Sequence, residues 1–144
     1  MRFRGFLTTA IACAFFLCAC VGLRAYHIST FAHIRGAHTF YLDNPSSQAL
    51  TKTNLSFSDL PRVNGESVVF ALQNQNPDTL VNEIAAQYRA QILFTERAGD
   101  TISYYGYSRE LGRGVVLCGV PVNLHIALSP DRAAVGTPLI FGGF

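Results

Sequence analysis

Residues 5–23 form one apolar run without a charge, with Arg2 and Arg4 before it and Arg24 directly after it. A run of about 18 or more such residues is long enough to cross a bilayer core of roughly 30 Å as a helix. A secretory signal opens the same way, a basic start and then an apolar stretch of about 7–15 residues. The sequence therefore predicts an N-terminal signal-anchor or signal helix over residues 1–24, a juxtamembrane stalk over 25–37, and one domain over 38–144 outside the cytoplasm. Three fates of the segment are open. It can stay as an anchor, which suits its length and the bulky Leu23 of Leu23-Arg24-Ala25, where signal peptidase wants a small residue. It can be cleaved further on, after Ala32 or Ala37. Or residues 16–20 act as a lipobox, with Leu17 and Ala19 placed to make Cys20 a lipidated N-terminus, although the apolar run continues past Cys20 to Leu23. The anchor leads. It makes the protein single-pass in the cell membrane, with the bilayer as its partner through residues 5–23 and the short basic start inside. A secreted or lipidated protein is the alternative.

The run also distorts the charge and the cysteine count. The chain carries +2 overall, but without Arg2, Arg4 and Arg24 eight basic residues face nine acids. A domain near −1, with a single lysine and no basic stripe, lacks the positive footprint of a nucleic-acid binder. Cys13, Cys18 and Cys20 lie in the run as small hydrophobes. Cys118 is left alone in the domain and reads as a buried strand cysteine between Val115, Val116, Leu117 and Gly119, Val120. About 110 residues suffice for one core and not for two.

Residues 38–42 are β-prone, and Asp43-Asn44-Pro45 breaks them with turn chemistry. Residues 46–61 read as loop with a short helical turn near Ser47, and residues 66–72 as a strand. Asn76-Pro77-Asp78 is a helix start: a side-chain cap, a proline at the first helical position, and an acid at the positive end of the dipole. Leu80, Val81, Ile84, Ala85 and Tyr88 then recur at helical spacing, so one long helix over about 77–90 is expected on a sheet. Residues 91–97 and 101–108 form a hairpin around Ala98-Gly99-Asp100. Residues 120–129 alternate cleanly, with Val120, Val122, Leu124, Ile126 and Leu128 on one face and Asn123, His125, Ala127 and Ser129 on the other. That period of two predicts a half-buried strand. Residues 133–141 make the last strand. Short connections require antiparallel neighbours. The expected class is α+β: a mostly antiparallel sheet covered by one long helix.

The candidate binding residues lie on two of these strands. Tyr105, Tyr107 and Arg109 share one strand parity, and tyrosine joins an apolar ring to a polar tip. Cross-strand packing accounts for the same tyrosines. Asn123 and His125 share the polar side of the 120–129 strand, as binding residues or as a solvated face. No acid or cysteine stands near His125 at ligand spacing, and the other histidines (His27, His33, His38) match no metal signature. Glu66 and Ser67 are adjacent strand residues and so point to opposite faces. No Gly-x-Ser-x-Gly elbow and no phosphate-cradling loop is present. The sequence names no catalytic residue, no metal and no cofactor.

Ser46-Ser47-Gln48-Ala49, Glu66-Ser67-Val68-Val69-Phe70, Val122-Asn123-Leu124-His125-Ile126-Ala127 and Gly136-Thr137-Pro138-Leu139-Ile140-Phe141 together resemble small exported proteins of Gram-positive Firmicutes, the YwmB-like family with its TATA-box-binding-protein-like label. The resemblance implies a fold likeness rather than DNA binding, and it brings no active residues. The expected function is a membrane-tethered, non-catalytic domain that binds an envelope protein or a cell-wall glycan through one sheet face. A small envelope hydrolase with its site near His125 is the alternative.

Overall fold

The computed structural model describes residues 9–20, 29–43, 50–72 and 75–142, and the chain divides into two compact units, Met1–Thr30 and Phe31–Phe144. In the first unit residues 9–20 form helix α1, with its side chains exposed. Among the described residues no helix is long and apolar enough to cross a membrane. This corrects the expected transmembrane signal-anchor and the single-pass membrane location: the apolar run is long enough, but the described helix is not.

The second unit is built from strands β1 (Ala37–Leu42), β2 (Leu50–Lys52), β3 (Val63–Ala71), β4 (Gln91–Ala98), β5 (Thr101–Tyr107), β6 (Val115–Leu117), β7 (Val120–Val122), β8 (Leu124–Leu128) and β9 (Arg132–Thr137), with helix α2 (Pro77–Gln87) between β3 and β4. Seven of them form one sheet in the order β2-β1-β3-β9-β8-β5-β4, and every neighbouring pair is antiparallel. β6 and β7 make a separate hairpin. The turn expected at Asn44-Pro45 and the helical turn near Ser47 lie outside the described residues.

One sheet face carries the core. Val68, Leu124, Ile126, Leu128, Ala133 and Val135 pack with Leu80, Val81, Ile84 and Tyr88 from α2 and its C-terminal end. Phe31, expected in a stalk, is completely buried in this core and meets Tyr88 edge-on, with ring centroids 5.5 Å apart. α2 starts as its sequence dictates: the Asn76 side chain accepts from the amides of Asp78 and Thr79, and Pro77 opens the helix. It ends early, and the long covering helix of the expected fold class is corrected to eleven residues. The amide of Ala90 bonds the carbonyl of Ala85, that of Arg89 bonds Ala86, and Arg89 takes φ +47°. This is the Schellman stop, in which glycine is the usual left-handed residue. Arginine there costs about 1 kcal/mol, and its exposed ion pair with Glu110 at 3.2 Å returns little of it. Arg89→Gly is expected to raise stability by up to about 1 kcal/mol, read as a higher midpoint in urea. An unchanged or lower midpoint would mean that the Glu110 pair outweighs the backbone strain.

The opposite face is covered too, which the alternation in 120–129 did not announce. Thr39, Ser67, Gly136, His125, Tyr105 and Phe94 stand in register across six strands and so share this face. Ladder pairing ends at Thr137, because Pro138 has no N–H to offer. Residues 138–141 leave β9 and return over the sheet. The Ile140 amide donates to His125 Nδ1 at 3.2 Å, the Phe141 amide donates to Tyr41 Oη at 3.0 Å, and the Phe141 ring sits edge-on to Tyr41. A Cβ on Gly136 would come within 2.8 Å of Ile140 Cγ1, so the absent side chain is what lets this strap lie close. Beneath it Ser67, Ala127 and Ala134 are buried.

Candidate functional site

Three rings cross the second face side by side. Tyr105 of β5 stands opposite Phe94 of β4 and His125 of β8. Its ring stacks on Phe94 at 4.7 Å and 21°, and on His125 at 4.5 Å and 19°. These distances are close to the roughly 4.8 Å between neighbouring strands, so pairing register alone lays the rings in a ladder. Burial and the hydrogen-bonded Glu96 carboxylate push the Tyr105 hydroxyl's pKa up.

His125 is held neutral. Its Nδ1 accepts from the strap, which assigns the proton to Nε2, and burial pulls its pKa down to about 4. Nε2 is buried and has no hydrogen-bond partner among the described residues. A histidine covered by Tyr105 on one strand and bonded to backbone through Nδ1 is placed as a packing and anchoring group. It meets no nucleophile there.

The remaining candidates separate. Asn123 is completely buried, so it is no part of an exposed face. Its side chain accepts from the Ser108 amide at 2.8 Å and donates to the carbonyls of Ser108, Leu111 and Gly112 at 2.7, 2.8 and 3.0 Å. That clamp breaks the expected 120–129 strand into β7 and β8. Tyr107 ends β5 and is 37% exposed, while Arg109 lies beyond the strand on the surface. Cys20 is the last described residue of α1 and is exposed. Phe94 and Glu96 were missed, although the two-residue turn at Gly99-Asp100 sets the register that brings both to Tyr105. Cys118 is also corrected: it is exposed at the β6–β7 tip with φ +50°, followed by Gly119 at +80°. Two positive φ values in a two-residue loop are the demand of a type I′ hairpin turn, which places Cys118 in a turn instead of a buried strand.

Glu66 and Ser67 do diverge. Glu66 Oε1 accepts from the buried Phe31 amide at 2.6 Å on the helix side, and Tyr41 Oη donates to Ser67 Oγ at 2.6 Å on the other. The buried Asp59 pairs with the half-exposed Lys52 at 2.8 Å, which with Ser56 holds its carboxyl well below the usual range. His33 Nε2 lies 2.7 Å from Gln87 Nε2, bracing the 31–35 turn against α2. Among the described residues no group of three or more histidine, cysteine or acidic side chains is placed to hold a metal ion.

Beyond the rings the sheet stops. β4 is its last strand, and among the described residues nothing pairs with its outer edge. The edge is eight residues long and carries Glu96 and Arg97, charges of the kind that guard an open edge from indiscriminate pairing. Compared with family models, curated proteins and solved structures, the chain matches none.

Proposed function

We propose that the domain is a non-catalytic binding module that accepts an extended segment of a partner protein as an added strand on β4. The observation that carries this reading is the open, eight-residue edge of β4 lying one strand from the Tyr105 ring. An extended peptide gains main-chain hydrogen bonds along such an edge, and alternate side chains reach the adjoining sheet face for specificity. On that face they meet Phe94, with Tyr105 beyond it. Glu96 and Arg97 admit a segment that offers charges of both signs.

The test is selection of extended peptides from a displayed random library, followed by NMR titration of the purified chain. The expected result is amide shifts that run along β4, and a Tyr105→Ala variant that binds about tenfold more weakly, or ~1.4 kcal/mol. Shifts confined to another surface, or selected peptides indifferent to Tyr105→Ala, would overturn the reading.

A further inference from the structure

Besides the edge strand, the domain has a cleft of about 450 Å³ between α2 and the 31–35 turn. Its apolar lining is Ile34 from the turn, Phe70 from β3, and Leu80 with Ile84 from successive turns of α2, and Gln75 and Gln87 line it as well. Two residues of opposite charge also line it, Arg35 from the turn and Glu83 from the helix. Neither makes an ion pair with the other or with any described residue. They are therefore more than a salt-bridge length apart. The His33–Gln87 contact braces the two elements that form the walls.

A cleft at the small end of the range for ligand sites, lined about equally by apolar and polar side chains, fits a compact organic molecule with an apolar body and charged ends. The two free charges narrow the class. A guanidinium forks onto a carboxylate, and a carboxylate takes an ammonium. We infer that this cleft is a second binding site, for a small zwitterion with an apolar body, of dipeptide size, its carboxylate toward Arg35 and its ammonium toward Glu83. The inference stands apart from the reading of β4, since no element is shared.

Because both charges are solvent-exposed, each contact is weak, and the test must separate them. Leucyl-leucine, N-acetyl-leucyl-leucine, which lacks the ammonium, and leucyl-leucinamide, which lacks the carboxylate, are titrated into the whole chain and followed by NMR. Leucyl-leucine is expected to give saturable shifts at Ile34, Phe70, Leu80 and Ile84, and each capped form to bind about three- to fivefold more weakly. Glu83→Gln should weaken leucyl-leucine by the same factor and leave the acetylated form unchanged. Arg35→Gln should do so for leucyl-leucine and leave the amide unchanged. Both substitutions are at exposed positions, so folding is spared. No saturable shift, or a variant that weakens all three probes equally, overturns the site. Shifts along β4 instead would overturn it and leave the strand-addition reading intact.

Discussion

Asn123→Ala is expected to lower stability by about 3 kcal/mol. Asn123 is fully buried, and its amide group answers one N–H and three carbonyls of residues 108–112. Two N–H hydrogens serve three acceptors, so at least one bond is shared. Alanine would strand the Ser108 amide and its carbonyl partners without water to replace the loss, at about 1–3 kcal/mol for each group left unmet. The damage would spread, because Ser108 Oγ also donates to the Tyr88 carbonyl at the end of α2, and Leu111 packs into the core. Asn123→Asp should be worse, since a carboxylate would face three carbonyl oxygens. Urea denaturation of the three proteins checks this. A loss under about 1 kcal/mol for alanine would show that Leu111 alone holds the loop.

Acid is expected to remove on the order of 2–3 kcal/mol through His125 as pH falls from about 6.5 toward 4. Burial depresses the folded-state pKa from 6.5 to about 4, so the unfolded chain takes up the proton first. The stabilisation is complete above the unfolded value, fades through the interval, and is gone below the folded one. Protonated Nδ1 could no longer accept from Ile140, so the strap should loosen with the charge. The groups facing the imidazole supply no rescue: Tyr105 stacks on it, and Glu96 is hydrogen-bonded to Tyr105. Asp59 acts in a separate window, because its lowered pKa makes a stability that is lost only below about 4. Stability measured against pH for the native protein and for His125→Asn would distinguish them. The variant should lack the loss between 6.5 and 4 and keep the steeper fall beneath it. An unchanged profile in the variant would sink the assignment to His125.

What the sequence disclosed, and what it withheld, divides along local and non-local lines. The start of α2 was legible because Asn76, Pro77 and Asp78 act within one helical turn. The β4–β5 hairpin was legible because Gly99 and Asp100 stand between two β-prone runs. Antiparallel pairing followed from short links. The end of α2 was not legible, since it stops on an arginine in a conformation where glycine is the usual signal. Alternation in 120–129 marked two faces but could not say what covers the second, because that depends on residues 138–141 returning from beyond β9. Asn123 had the same ambiguity: on a period-two pattern a polar residue reads as solvated, and only the loop at 108–112 makes it a core residue. Tyr105 and His125 read from the sequence as separate surface groups, because their stacking depends on the pairing of β5 with β8. The N-terminal run gave the strongest local signal, yet among the described residues no helix is long and apolar enough to cross a membrane, because apolar length permits a spanning helix without requiring one.

The position of β9 has a consequence for how the chain must come into being. Of the strands in this sheet β9 is synthesised last, yet it lies in the middle, joining β2, β1 and β3 on one side to β8, β5 and β4 on the other. Until residue 137 has emerged, the strands made earlier can form only two half-sheets, each with an open flank and an apolar face. Closure then pairs β9 with β3, across more than sixty positions at Ser67 and Gly136, a contact whose loop-closure cost slows folding. During synthesis the nascent domain therefore passes through a stage with two more sticky edges than the finished one, and that is when a chaperone would matter most.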